Sequence, residues 1–116
     1  HEFYKNIFKN QEGVELFTEP SEDYQSNHWL NAIIIHPEKT GNKDREFWRL
    51  AFAEENIESR PLWKPMHLQP LFANKMYFGA NIAETLFNNG LCLPSGSNLT
   101  DDDKERIYKV IKKLIE

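Results

Sequence analysis

Four short apolar segments along the chain predict β-strands. The strongest is His28–His36, because its centre is β-branched and apolar on both sides, as in the central strand of a sheet. Trp29 falls at the beginning of this predicted strand. The other three are shorter and cover Val14–Phe17, Glu58–Arg60 and Leu91–Pro94. The predicted sheet is therefore small.

The helical spacing of apolar residues predicts four helices, over residues 1–10, 44–55, 81–89 and 101 to the end of the chain. The second has a broad aromatic side, formed by Phe47, Trp48 and Phe52, that requires burial. The last has the clearest start, since Thr100 and Asp103 match a capping box. Strand, helix and strand alternate in the middle of the chain, which predicts an α/β fold.

Composition limits the class of protein. With 116 residues, the chain is predicted to form a single domain over residues 1–116. A net charge of −4 argues against general binding to nucleic acid, and no apolar run approaches the roughly 20 residues that span a membrane. The single cysteine, Cys92, excludes an internal disulfide and suits the reducing cytoplasm. Residues 1–10 begin abruptly without an initiator methionine, so we expect the end of a truncated linking helix and a fragment of a longer protein.

The segment Glu58–Phe72 (ESRPLWKPMHLQPLF) has the most unusual composition in the chain. Its three prolines fix φ and remove backbone donors, which predicts an extended or turning path with little strand pairing. Each proline also favours an extended conformation in the residue before it, namely Arg60, Lys64 and Gln69. A stiff, irregular segment of this kind is a reasonable place for ligand contacts.

Four side chains of this segment are candidates for binding: Arg60, Trp63, Lys64 and His67. Arg60 can hold a carboxylate or phosphate through two parallel hydrogen bonds, and Lys64 can add a charge. His67 can act as a directional donor, and Trp63 can stack on a ring. The alternative is a rigid connection whose polar groups face water, with Trp63 packed in the core. For Trp63 alone, core packing is the favoured interpretation.

Other chemistry is missing from the sequence. Cys92 lies in an apolar strand and is interpreted as a buried small hydrophobe rather than a nucleophile. His28 and His36 would lie about 26 Å apart in a strand and cannot share a metal. No metal-binding motif is present, and residues 95–98 (SGSN) lack the spacing of a phosphate loop. We therefore predict neither a metal site nor a catalytic residue.

Two longer motifs carry a resemblance. The run Asn56–Phe72 (NIESRPLWKPMHLQPLF), followed by Ala83–Thr100 (AETLFNNGLCLPSGSNLT), closely resembles the C-terminal region of the DegT/StrS sugar aminotransferases. These are pyridoxal-phosphate enzymes with the aspartate-aminotransferase fold. The motifs have the family's order and spacing, and with the closing amphipathic helix the resemblance covers nearly all of the chain. The form RPLWKPMH is most similar to members that act on UDP-linked 4-keto amino sugars.

The resemblance implies a fold and an activity. The fold would be the small C-terminal domain of an aspartate-aminotransferase type enzyme, with a short, mostly antiparallel sheet and helices packed on one face. The parent protein would be a homodimer that transfers an amino group from L-glutamate to a nucleotide-linked keto sugar through pyridoxal phosphate. In the family, the Schiff-base lysine, the acidic partner of the cofactor and the phosphate cup belong to the N-terminal domain, and no motif here matches them. We therefore expect the chain alone to be inactive and without cofactor.

Arg60, Trp63, Lys64 and His67 occupy the matched motif, so the resemblance implies that they face the substrate. Arg60 would bind a carboxylate or phosphate, and His67 the sugar or nucleotide. Two other classes stay open: a free-standing module whose proline-rich segment binds a protein partner, and a structural domain whose irregular loop packs against a neighbour.

Overall fold

The computed structural model describes all 116 residues, His1–Glu116. Its regular elements are four strands and four α-helices. The strands are β1 (Val14–Leu16), β2 (Asn31–Ile35), β3 (Arg60–Pro61) and β4 (Gly90–Leu93). The helices are α1 (Glu2–Phe8), α2 (Arg45–Glu54), α3 (Ile82–Asn89) and α4 (Asp101–Ile115). Three single 3₁₀ turns, at Pro37–Lys39, Met66–Leu68 and Pro70–Phe72, complete the chain.

The strands form one sheet in the order β1-β2-β4-β3. Every pairing in it is antiparallel, which confirms the mostly antiparallel sheet implied by the resemblance. Ile33 of β2 is in register with Leu16 of β1 and with Leu91 of β4, so these three side chains share one face of the sheet. Cys92 is in register with Arg60 of β3, and both lie on the opposite face. β2 and β4 are therefore the central strands.

The core lies on the Ile33 face and is covered by three helices. Its members come from α1, α2, α4 and the loop after α2 as well as from the sheet: Tyr4, Phe8, Val14, Ile33, Ile35, Trp48, Phe52, Ile57, Leu91, Leu93, Ile107, Val110, Ile111 and Leu114. Each large aliphatic side chain buried there contributes roughly 1.5–3 kcal/mol. The prediction of helices packed on one face is confirmed for these three, whereas α3 supplies no core residue.

Side-chain caps explain where the two longest helices begin. The Asp44 carboxylate accepts a hydrogen bond of 2.8 Å from the Phe47 amide at the start of α2. At the start of α4, the Thr100 hydroxyl accepts from the Asp103 amide while the Asp103 carboxylate accepts from the Thr100 amide, at 3.2 and 2.9 Å. The predicted capping box is confirmed. Hydrogen bonds from the Thr100 hydroxyl and amide hold the pKa of Asp103 below its usual range.

The predicted strand His28–His36 is too long, since β2 begins only at Asn31. The Ser26 hydroxyl accepts from the His28 amide at 3.0 Å, and the Asn27 side chain accepts from the Trp29 amide at 3.2 Å. These local bonds compete with strand pairing, and His28 takes a left-handed φ of 49°. Trp29 therefore precedes the sheet instead of lying in it.

The strand predicted at Glu58–Arg60 is also misplaced, because the observed strand β3 covers Arg60–Pro61. After α2, Asn56 adopts a left-handed φ of 56° and the Ile57 amide bonds back to the Phe52 carbonyl at 2.9 Å. The chain must leave this turn before it reaches β4. The aromatic side of α2 is also only partly buried, because Phe47 remains half exposed while Trp48 and Phe52 are in the core.

No helix has the length and apolar character needed to cross a bilayer.

Candidate functional site

The proline-rich segment Glu58–Phe72 runs along the β3 edge of the sheet and then leaves it. The Leu62 amide donates to the Gly90 carbonyl at 3.2 Å, which extends the pairing with β4 by one bond. Beyond it, the two 3₁₀ turns at Met66–Leu68 and Pro70–Phe72 are separated by Gln69, whose φ of −79° and ψ of 140° are extended, as predicted. The predicted irregular path is confirmed.

Arg60 stands on the face of the sheet opposite the core. Its side chain is 77% exposed, and its Nε donates to the Glu58 carboxylate at 2.7 Å. An exposed pair of this kind contributes at most about 1 kcal/mol. Glu58 therefore orients the guanidinium without holding it tightly, and an incoming carboxylate or phosphate can replace it.

Trp63 is 69% exposed, so the favoured interpretation of core packing is wrong. Its ring lies 6.5 Å from that of Trp29, measured between centroids, with a tilt of 36° between the planes. Trp29 is itself 68% exposed. The two indoles form an open aromatic pair. Sequence reasoning missed Trp29, although the turn-forming Ser26 and Asn27 before it were a signal that the strand had not yet begun.

Lys64 projects from the segment without an ion pair inside the chain. Its side chain is exposed, and its carbonyl accepts a hydrogen bond of 3.3 Å from the Gln69 side-chain amide. That bond bridges Pro65 and fixes the backbone on which the ammonium is carried. Lys64 thus remains available as a point charge.

His67 is the least exposed of the four candidates, with 17% of its side chain accessible. Its Nε2 lies 2.8 Å from Oε1 of Glu84, in the first turn of α3. Its ring stacks on that of Tyr77, with 3.8 Å between the centroids, and the Tyr77 hydroxyl donates to the Ala80 carbonyl at 2.7 Å. Glu84 and Tyr77 come from two later parts of the chain, and no sequence pattern announced their contact with His67.

The four predicted residues thus fall into separate groups. Trp63 joins Trp29, His67 joins Glu84 and Tyr77, Arg60 is paired with Glu58, and Lys64 is unpaired. No hydrogen bond or ion pair links Arg60, Lys64 and His67 to one another. They share a single stiff segment rather than a closed pocket.

Cys92 and the cavity beside α1 do not contribute to the candidate site. Burial raises the pKa of the Cys92 thiol, so it is protonated and inert at neutral pH. A cavity of about 510 Å³ lies between α1 and β1 and is lined by surface lysines such as Lys5 and Lys9. It is open and lies away from the proline-rich segment.

The residues of this chain do not fit the lysine–carboxylate set that pyridoxal phosphate requires. The cofactor needs a lysine in a sheltered cleft and an acid beside its pyridine nitrogen. Every lysine here is partly or fully exposed. Those near a carboxylate form surface pairs, either along a helix, as Lys104 does with Asp101, or between helices, as Lys113 does with Glu55. No step of pyridoxal chemistry can be assigned to these side chains.

Comparison with known proteins places the chain in a family. Residues 1–112 match the DegT/DnrJ/EryC1/StrS aminotransferase family. The chain belongs to this family. The predicted resemblance is confirmed.

Individual relatives agree with this assignment. The chain is 38% identical over 115 residues to EpsN of Bacillus subtilis (strain 168), which carries the name of a pyridoxal phosphate-dependent aminotransferase, covering 96% of the chain and 28% of that protein. It is 30% identical over 106 residues to GDP-perosamine synthase of Escherichia coli O157:H7, covering 91% of the chain and 28% of the relative.

Among solved structures, DesI in the presence of its TDP-sugar product superposes with a TM-score of 0.81 at 22% identity, covering 97% of the chain and 29% of DesI. This likeness confirms the predicted fold class, a small-domain portion of the aspartate-aminotransferase fold. The chain spans less than a third of the length of each of these proteins.

Proposed function

We propose that the protein carrying this chain is a pyridoxal-phosphate-dependent aminotransferase that transfers an amino group from L-glutamate to a nucleotide-linked keto sugar. Membership in the family and the relationship to sugar aminotransferases support this reaction class. The chain would form one wall of the active site. The observation that carries the proposal is the projection of Arg60, Trp63 and Lys64 into solvent from one proline-stiffened segment.

Each side chain on this wall has a distinct task in the proposal. Arg60 exchanges the Glu58 carboxylate for a carboxylate or phosphate of the substrate, which it can hold through two parallel hydrogen bonds. Lys64 adds positive charge close by. Trp63 offers its exposed ring for stacking on a planar or sugar ring, and His67 contacts the sugar or nucleotide. Prolines 61, 65 and 70 limit the entropy lost when these groups are ordered on binding.

The cofactor supplies the electron sink for amino-group transfer. In the proposal, its lysine, its acidic partner and its phosphate site lie outside these 116 residues, because the lysines here do not fit that role. The protein would act in the cytoplasm as a homodimer. The chain alone is expected to show neither transaminase activity nor a reducible pyridoxal adduct.

The test uses the full-length protein with its sugar substrate. Arg60→Ala and His67→Ala are each expected to lower kcat/KM at least about tenfold, equivalent to about 1.4 kcal/mol of lost transition-state stabilisation. Arg49→Ala is the matched control for Arg60, since Arg49 also pairs with a nearby glutamate but on α2. His36→Ala is the control for His67, because His36 is a surface histidine beside two carboxylates. Unchanged kcat/KM in both Arg60→Ala and His67→Ala would sink the assignment.

A non-catalytic interaction module is the second candidate. Its support is the exposure of large apolar side chains along and after the same segment, including Met66, Leu71, Met76 and Phe78. The coding frame upstream of His1 separates the two. A cofactor-binding domain with a Schiff-base lysine in that frame supports the enzyme, whereas a start codon next to His1 supports the module.

A further inference from the structure

The His67 side chain is held in place by residues from three parts of the chain. Its own 3₁₀ turn, Met66–Leu68, carries it, and Pro65 comes just before this turn. Tyr77, from the loop that follows, stacks on one face of the imidazole at 3.8 Å. Glu84, at the start of α3, lies 2.8 Å from Nε2. A side chain held by a stacked ring and a carboxylate, on a defined backbone turn, has a defined ring orientation before any ligand arrives.

The contact with Glu84 decides which nitrogen of the imidazole carries the proton. A carboxylate has only acceptor oxygens, so Nε2 must be the donor in this hydrogen bond. In the neutral imidazole the other nitrogen, Nδ1, then holds a lone pair and is an acceptor. The carboxylate therefore selects one of the two tautomers of His67.

Nδ1 is free to meet a ligand. It makes no hydrogen bond inside the chain, and it is not one of the buried side-chain atoms that lack a partner, which are Arg45 Nε, Trp48 Nε1 and Ser59 Oγ. Solvent therefore reaches Nδ1, whereas Nε2 is already engaged. The Tyr77 hydroxyl is also engaged, since it donates to the Ala80 carbonyl.

We propose that Glu84 is a positioning residue that presents Nδ1 of His67 to the substrate as a hydrogen-bond acceptor for a sugar hydroxyl. Tyr77 seats the ring by stacking on it. This inference rests on the proposed function, in which His67 contacts the nucleotide-linked sugar. It adds the atom of His67 that is used, the chemical group that it recognises and the residue that orients it.

The first test is a double-mutant cycle in the full-length protein, measured as KM for the nucleotide sugar. Glu84→Ala is expected to raise KM about fivefold when His67 is present and to have almost no effect when His67 is already alanine, because its role passes through the imidazole. Glu84→Gln keeps an acceptor oxygen and is expected to lie between wild type and Glu84→Ala. Glu54→Ala, at an exposed glutamate without an ion pair at the end of α2, is the control that should leave KM unchanged.

The second test asks which nitrogen matters. His67→Asn places an amide group near the position of Nδ1, and His67→Gln places one near that of Nε2. If Nδ1 is the contacting atom, His67→Asn retains a lower KM than His67→Gln. A general loss of structure would not separate these two variants in that direction.

The outcomes distinguish this inference from the proposed function. An unchanged KM in His67→Ala would overturn the substrate contact itself. A raised KM in His67→Ala, combined with a Glu84→Ala effect that is absent or equal in both backgrounds, would overturn only the positioning role. A lower KM for His67→Gln than for His67→Asn would overturn the assignment of Nδ1.

Discussion

Trp48 and Trp63 are the same residue type in opposite environments. Trp48, on α2, is completely buried against the sheet, whereas 69% of Trp63 is exposed on the proline-rich segment. Trp48 packs beside Phe8, with 6.5 Å between ring centroids, and belongs to the core. The aromatic neighbour of Trp63 is another exposed indole, that of Trp29.

The comparison shows that the residues that stabilise the fold are different from the residues that are exposed for binding. The core uses an antiparallel sheet and three helices, two of which, α2 and α4, have side-chain caps. Its apolar side chains therefore have partners within these 116 residues. The proline-rich segment pairs with β4 only at residues 60–62, and its prolines limit further pairing. Beyond the core, its Arg60, Trp63 and Lys64 side chains are exposed. Stability and recognition are thus carried by different residues, which makes them separable by mutation.

The largest expected effect is on the stability of the chain. Trp48→Ala should lower the free energy of unfolding by about 3–5 kcal/mol, because it leaves a large cavity in the core. Trp63→Ala should change it by no more than about 0.5 kcal/mol. Trp48→Phe is the control for side-chain size. Because the Trp48 indole N–H has no hydrogen-bond partner, Trp48→Phe should keep most of the free energy of unfolding that Trp48→Ala loses. Urea denaturation followed by circular dichroism measures all three, and equal losses for Trp48→Ala and Trp63→Ala would refute the comparison.

A smaller effect is expected at the cap of α4. Thr100→Ala should cost about 1 kcal/mol, the usual value for a lost helix cap. The pKa of Asp103 is lower in the folded chain, so its ionised form favours folding. That contribution is fully present above the unfolded pKa, near 4, and is lost as the pH falls through the lower folded value.

Melting temperatures between pH 7 and pH 2 test this sign. Asp103→Asn should remove the part of the acid-induced decrease that comes from this cap. Asp102→Asn, at a neighbouring exposed carboxylate without a hydrogen bond, is the matched control. If the melting temperature of Asp103→Asn depends on pH in the same way as that of the wild type, the role of the capping box is contradicted.

The regular part of the fold was predictable because its signals are local. The capping box at Thr100 and the apolar stripe of α4 both lie within a few turns of one helix, and the β-branched run at Ile33–Ile35 fixes the central strand. The errors arose where local side-chain hydrogen bonds or a left-handed residue redirect the backbone. The Ser26 and Asn27 bonds exclude Trp29 from β2, and the left-handed Asn56 shortens the strand that was expected at Glu58–Arg60.

The candidate site was predictable only as a segment. The prolines of Glu58–Phe72 identify a stiff, irregular path, and its donors can be read directly from the sequence. The contact partners of these side chains cannot be read from the sequence. Glu84 contacts His67 from 17 positions away, and Trp29 contacts Trp63 from a different part of the chain. Contacts of this kind depend on the tertiary fold, and the spacing of residues along the sequence does not predict them.

The central claim is that side chains of the proline-rich segment, Arg60 and His67 among them, bind the nucleotide sugar. Calorimetric titration of the full-length protein with its nucleotide-sugar product tests it most directly. The double variant Arg60→Ala/His67→Ala should weaken Kd at least about tenfold, while Arg49→Ala/His36→Ala, which removes the same residue types from other surfaces, should leave it unchanged. The claim would be contradicted by equal Kd values for the two double variants.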